Sequence, residues 1–262
     1  MRALLFCWVL LTGVASSAWA QDMLTVAMEA ADNSPYSSVA ADGSFQGFHY
    51  ELLNQVAEAE GFRIRWVALP WNRALKSLAQ GEIMGVTFIS TSDERNAYAI
   101  FKEGNVLHFG EVCLFTRPDV AAGLHWDGKI SGLPNIKYGF LANYVVSSEI
   151  EKAKERLDYI TVTGNYQNLA DMARLRRIDA FFTASSYLET SDAAKARNKD
   201  LVKLEPCQRG DNRYIAFSKA AKDGEAWSNR FQAGLRKFRT TDAYRALLRK
   251  FDLEYLAAAA RK

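Results

Sequence analysis

The sequence predicts an α/β protein in two similar parts, and three observations predict it. Short runs of strand-like apolar or alternating residues recur between amphipathic, helix-like stretches. The succession strand, helix, strand, helix, strand occurs twice. Two segments, "LAQGEIMGVTF" (78–88) and "ARLRRIDAFFT" (173–183), repeat one pattern, from a helix end through a short turn into a buried strand.

The elements follow in order. "LTVAMEA" (24–30) is a short strand, and residues 33–47, with Pro35, Asp42-Gly43 and several serines, form a loop or hairpin. "YELLNQVAEAEGF" (50–62) sets Leu52, Leu53, Val56 and Ala57 on one helix face and stops at Gly61. "FRIRWVAL" (62–69) alternates as a strand does, Pro70 opens the helix "WNRALKSLAQG" (71–81), and "IMGVTFIS" (83–90) is a buried strand. A parallel sheet with helices on its faces is expected.

The same order returns with the strand "IKYGFLA" (136–142), the helix "YVVSSEIEKAKERL" (144–157), the strand "YITVTG" (159–164), the helix "NYQNLADMARLRR" (165–177) and the strand "IDAFFTA" (178–184). Between the halves, "HFGEVCLFTRPD" (108–119) reads as an extended crossover and "DNRYIAFSK" (211–219) as a second one going back. Residues 225–253 form two amphipathic helices, whose basic residues read as a solvated face rather than a binding patch.

Met1-Arg2, the apolar run from Ala3 to Val14 and Ala18-Trp19-Ala20 have the three parts of a secretory signal, with cleavage expected after Ala20. The run is too short for a comfortable membrane span, and no later stretch approaches the roughly 20 apolar residues that a spanning helix requires. An exported, soluble protein is expected. Cys7 lies in the signal without the small-residue context of a lipoprotein site.

Removing 20 of the 262 residues leaves 242, enough for one large or two medium domains. With 33 Lys+Arg against 30 Asp+Glu the charge is near balance and well interspersed, and no basic stripe argues for nucleic acid. His49, His108 and His125 are scattered and lack metal-site spacing. There is no phosphate loop, nucleophile elbow or zinc-protease motif, so no cofactor or metal is expected. An oxidising compartment favours pairing Cys113 with Cys207, the alternative being two buried free thiols.

The order "SPY…DGSFQGFHYELLNQVAEAEGF", "LPWNRALKSLAQGEIMGVTFISTSDERNAYAIF", "IKYGFLA", "RIDAFFT" and "YIAFSK" with a terminal helical pair resembles the family 3 extracellular solute-binding proteins, the periplasmic receptors of polar amino-acid ABC transporters. The resemblance spans about Leu24 to Leu253 and rests on order and spacing rather than on any single motif. It implies a two-lobed periplasmic binding protein-like fold, with two α/β lobes joined by two crossover hinge strands and a ligand between them. Lobe 1 would comprise residues 22–109 and 213–262, and lobe 2 residues 110–212. Cys113 and Cys207 would then lie near the hinge on segments that run close together, which implies a disulfide.

In the resemblance, the arginine closing a Ser-x-Thr-x-x-Arg motif grips the ligand's α-carboxylate, and Ser90, Ser92 and Arg95 fall at matching positions. A guanidinium stays charged and offers a planar fork that fits a carboxylate bidentately. The competing reading is a helix cap, since Thr91-x-x-Glu94 is a capping box, and both can hold together.

Tyr36 and Trp71 are candidate aromatic walls, with ordinary packing as the alternative. Phe88 replaces a small residue usual in the family and would narrow the pocket or pack away. Asn143 and Tyr144 stand where lobe 2 of the family presents small hydroxyl residues. The family often has an acid five residues after the aspartate of the Ile-Asp-Ala turn, pairing with the ligand ammonium. Counting from Asp179 gives Ala184, followed by Ser185, a further candidate contact. An enclosed ammonium needs a counter-charge, so either another acid substitutes or the ligand is not an ordinary α-amino acid.

The expected function is a non-enzymatic periplasmic receptor, a monomer, that captures a small carboxylate-bearing solute, an amino acid or a relative, for an ABC transporter permease. One alternative is an enzyme similar to periplasmic cyclohexadienyl dehydratases, which requires a general acid that no residue of the expected cleft obviously supplies. The other is a sensory binding protein without a dedicated transporter.

Overall fold

The computed structural model describes residues 22–189 and 192–259. The signal expected over residues 1–20 lies outside the described residues. The first part of the chain runs β1 (Met23–Glu29), β2 (Ser38–Val39), β3 (Phe45–Gln46), α1 (Phe48–Ala59), β4 (Arg63–Leu69), α2 (Trp71–Gln80), β5 (Gly85–Ile89), α3 (Asp93–Tyr98) and β6 (Ala99–Ile100). The long β7 (Val106–Thr116) leads through α4 (Pro118–Ala121) into β8 (Lys137–Leu141), α5 (Ser148–Ala153), β9 (Asp158–Val162), α6 (Tyr166–Arg174), β10 (Ala180–Thr183), α7 (Ser185–Glu189) and α8 (Asp192–Asn198). β11 (Val202–Ser218) returns, and α9 (Gly224–Phe238), α10 (Asp242–Lys250) and α11 (Tyr255–Ala259) follow.

The main sheet runs β4-β1-β5-β11-β7-β10-β8-β9, with β6 on β11. β4-β1-β5 are parallel to one another, as are β10-β8-β9. β11 and β7 join the two groups by antiparallel pairing, so the fully parallel pattern holds inside each half and not across them. Each parallel group is apolar on both faces. Val26 packs with α1, α9 and α10, while its neighbour Ala27 packs with α2; Phe182 and Phe181 divide the second half in the same way. Burial of both faces is what a parallel sheet under helices requires.

Three elements depart from the pattern read in the sequence. The second crossover is a 17-residue strand, longer than residues 211–219, because Pro206 and register shifts interrupt its alternation. The helix expected over 144–157 is regular only from Ser148 to Ala153, capped by the Ser147 side chain, since residues 144–146 are held instead by groups across the seam between the halves. A third short helix, α11, follows the two expected at the C-terminal end. No helix among the described residues is long and apolar enough to cross a membrane.

Cys113 on β7 and Cys207 on β11 form a disulfide, their Cα atoms 4.4 Å apart. The one group of three potential metal ligands among the described residues is Glu111, Cys113 and Cys207. With the two sulfurs bonded to each other, neither is a thiolate that can ligate.

Candidate functional site

The carboxyl ends of the parallel strands from both halves meet at the seam, where open α/β sheets place their ligands. Glu29 ends β1, Ser90 follows β5, Asn143 and Tyr144 follow β8, and Ala184 follows β10.

Arg95 is 4% exposed at the third position of α3. Its Nη1 donates to the main-chain and hydroxyl oxygens of Ser90, at 3.0 Å each. Its Nη2 donates across the seam to the Asn143 carbonyl at 2.8 Å, and the same carbonyl takes the Trp71 indole N–H at 2.9 Å. The guanidinium carbon lies 5.4 Å from the Trp71 ring centroid. Burial pushes the Arg95 guanidinium below its ordinary value. The cap of α3 is Ser92, whose hydroxyl accepts the Arg95 backbone N–H at 3.2 Å; the Thr91-x-x-Glu94 box is therefore not the one used. Thr91 and Ser92 are both good caps, and spacing alone does not choose between them.

Glu29, 6% exposed, accepts the Asn33 side-chain amide at 3.1 Å and the Tyr144 hydroxyl. Burial raises its carboxyl above the ordinary value, partly offset by those two hydrogen bonds. Glu29, Trp71, Phe88, Ser90, Arg95 and Tyr144 line one chamber of ≈ 20 Å³, together with Tyr166, Tyr187 and Arg213. A second chamber of ≈ 20 Å³ shares Phe88, Tyr166, Tyr187 and Arg213 and adds Tyr36, His108 and Ala184. Each is far smaller than the roughly 300 Å³ and upward of a small-molecule pocket, so neither has room for such a molecule as the two sides stand.

Outside the first chamber, a groove of ≈ 790 Å³ runs between α2 and α3 on one side and the β8–α5 connection on the other. Adjoining the second chamber at Tyr36, Glu111 and Ala184, a rear cavity of ≈ 440 Å³ is lined also by Ser185, Arg209 and Tyr255.

Aromatic rings fill the seam. Phe88 is at φ +65°, a left-handed conformation that a bulky residue rarely adopts, and its ring meets Tyr36 at 5.8 Å and Tyr187 at 6.4 Å. Tyr166 and Tyr187 stack at 4.5 Å. Tyr36 stacks on His108 at 3.8 Å and shares a 2.7 Å hydrogen bond with the Tyr255 hydroxyl. His108 Nδ1 and His49 Nε2 are 2.9 Å apart. Burial pushes His49 down to about 3, and His108 well below its ordinary value, with the neighbouring His49 and Arg213 charges adding to the effect.

Of the residues singled out in the sequence, Arg95, Ser90, Trp71, Phe88 and Tyr144 share the first chamber, and Asn143 closes it through its carbonyl. Tyr36 belongs to the second chamber, and Ser92 acts on the helix backbone. Ser185 stands apart on the rear cavity, donating to Glu111 at 3.0 Å beside Cys113. Asp179 is a structural turn residue, taking Arg117 Nη2 at 3.2 Å and the Lys137 backbone N–H at 3.0 Å.

Sequence reading missed Glu29, Tyr166, Tyr187 and Arg213. A signal for Glu29 was present: an acid closing a buried strand, at the strand end where ligands bind.

The same architecture is found in solved proteins. An arginine-specific periplasmic binding protein of Salmonella typhimurium matches at TM-score 0.64 and 16% identity, over 87% of this chain and 98% of that one. A histidine kinase sensor domain similar to periplasmic binding proteins matches at 0.69 and 20%, over 87% and 95%. An ancestral amino acid-binding protein, a precursor of cyclohexadienyl dehydratase, matches at 0.63 and 20%, over 87% and 95%. At these identities the likeness establishes the two-lobed fold. None of the curated proteins is a detectable sequence relative. The model of the bacterial extracellular solute-binding proteins, family 3, matches residues 24–254, which is nearly all of the described chain. With that match and this fold, the chain belongs to family 3 of the bacterial extracellular solute-binding proteins.

Proposed function

We propose that the protein is a periplasmic receptor which closes two lobes, residues 22–109 with 213–262 and residues 110–212, on an amino acid or a related small carboxylate for an ABC transporter permease. The observation that carries this reading is the first chamber, where a buried guanidinium and a buried carboxylate face one space. Among the described residues neither Arg95 nor Glu29 has an ion-pair partner. Arg95 takes the ligand carboxylate in place of the Asn143 carbonyl, and Glu29 takes the ammonium in place of the acid that Ala184 lacks. Trp71, Phe88 and Tyr144 form the walls, and Ser90 orients the guanidinium. Calorimetric titration with amino acids and organic acids tests the reading: binding of at least one carboxylate, lost in Arg95→Ala, is expected. No carboxylate ligand in such a panel, or an Arg95→Ala protein that binds as tightly as wild type, refutes it.

Glu29 also favours a second reading. A buried acid with a raised pKa is the general acid that a dehydratase would need, and one similar structure is a precursor of such an enzyme. Phenylpyruvate or phenylalanine formed from prephenate or arogenate, and abolished in Glu29→Gln, would establish it. Unchanged substrate after prolonged incubation would dismiss it.

A further inference from the structure

Arg213 lies on β11 and reaches under the seam. Its Nη2 donates to the carbonyls of Val145 and Val146 at 3.4 and 3.2 Å, tying the second crossover strand to the loop after β8. Its Nη1 is buried and has no hydrogen-bond partner. A buried guanidinium N–H without an acceptor is costly and rarely left so, which marks a place where an acceptor belongs.

The residues around Arg213 do not supply that acceptor as an anion. Arg213 has no ion-pair partner among the described residues. Its neighbours in both chambers are the rings of Phe88, Tyr166 and Tyr187. Burial holds Tyr166 up at about 12 and raises Tyr187, so both phenols are neutral at physiological pH. His108 is neutral as well. Glu111, at the edge of the second chamber, is exposed and accepts the Ser185 hydroxyl. The first chamber thus carries two guanidinium charges, Arg95 and Arg213, against the single carboxylate of Glu29, while Glu111 faces the second chamber from its exposed edge. A zwitterion seated on Arg95 and Glu29 leaves one positive charge buried and uncompensated, which is unfavourable.

We propose that Arg213 is a second anion anchor and that the ligand is an acidic amino acid or close analogue. One carboxylate sits on Arg95, the ammonium on Glu29, and a second anionic group on Arg213 Nη1, at the ring wall shared by the two chambers. Such a ligand carries one net negative charge and neutralises the site. A ligand with a cationic side chain brings a like charge against Arg213. The proposal rests on the receptor reading above and adds the specificity-determining residue.

Calorimetric titration with matched acid and amide pairs, glutamate against glutamine and aspartate against asparagine, tests it. In the wild type at least one acid should bind about tenfold or more tighter than its amide. Arg213→Gln should bring that acid down to the level of its amide, and Arg213→Lys should restore part of the preference. If Arg213→Gln does not fold, the wild-type ratio and the Arg213→Lys ratio still decide. Amides binding as tightly as acids, or an acid preference unchanged in the folded Arg213 variants, would overturn the second anchor while Arg95-dependent binding of neutral amino acids left the receptor reading standing. Absence of any carboxylate ligand overturns both.

Discussion

Arg95 Nη2 donates to the main-chain carbonyl of Asn143 at 2.8 Å, a bond from a helix of one half to a loop of the other. Asn143 is in the left-handed region at φ +63°, and its side-chain amide donates to Asn72 Oδ1 at 2.9 Å, which holds the loop so that its carbonyl faces the guanidinium. A carboxylate oxygen on Nη2 needs the place that this carbonyl fills. On the receptor reading proposed above, a ligand carboxylate replaces this carbonyl at Nη2, and the bond between the halves is exchanged for one to the ligand.

Arg95→Ala is expected to weaken carboxylate binding by about 2–5 kcal/mol, the usual loss when one partner of a buried, hydrogen-bonded charge pair is truncated. Arg95→Lys should recover little, because a lysine keeps the charge but cannot serve Ser90 and a ligand with one planar fork. Calorimetric titration with the best wild-type ligand checks both.

Glu29 gives a pH dependence of defined sign. Burial raises its folded pKa above the ordinary carboxyl value, so the native state holds this proton more tightly than the unfolded chain. The associated stability is full below the unfolded value and is lost as pH rises through the raised folded value. Urea denaturation of ligand-free protein at a series of pH values should show Glu29→Gln lacking this loss and no less stable than wild type near neutrality. A wild type that gains stability relative to Glu29→Gln as pH rises through the window contradicts the assignment.

The paired histidines act in the opposite direction. Both folded pKa values are lowered from 6.5, His49 to about 3, so the unfolded chain takes up protons that the native state refuses. Their contribution is present above pH 6.5 and is lost as pH falls from there toward the folded values. Thermal midpoints should fall on acidification below about pH 6, and the ring C–H resonances of His49 and His108 should not titrate down to about pH 5. Either resonance titrating near the ordinary histidine value would count against the buried neutral pair.

Replacing Cys113 and Cys207 together by serine should lower stability by about 2–4 kcal/mol. The protein should still fold, because β7 and β11 also pair through Leu114 with Leu204 and Val112 with Gln208. Denaturation curves of oxidised wild type and the double variant measure the difference.

The fold was legible where apolar runs are continuous and helices are capped. "IMGVTFIS" and "IDAFFTA" read as buried strands because both of their faces are covered, and Gly81, at φ +76°, marks the end of α2. β11 was underestimated because a proline and register shifts hide its first half. Arg95 could be found from a local motif. Glu29 carried only the weak signal of an acid closing a buried strand, and Arg213 none, since what distinguishes them is burial against residues far along the chain, Tyr144 in one case and Val145 and Val146 in the other. The end of the expected helix at Tyr144 failed for the same reason: contacts across the seam outweighed a local preference for helix.

The antiparallel pairing of β5 with β11 also sets an order of assembly. β8, β9 and β10 and the helices that cover them are all synthesised before β11 is complete. The first half, in contrast, has Val26, Leu52 and Val56 exposed until Phe217, Phe231 and Leu235 arrive from near the end of the chain. A ribosome that stops short of α9 therefore leaves the cluster around Val26, Leu52 and Val56 without Phe231 and Leu235, while the cluster around Ala27, Trp71 and Val86 has all of its residues. The α1 face of the first half is the last surface to be covered, and a chaperone guarding the nascent chain has its longest task there.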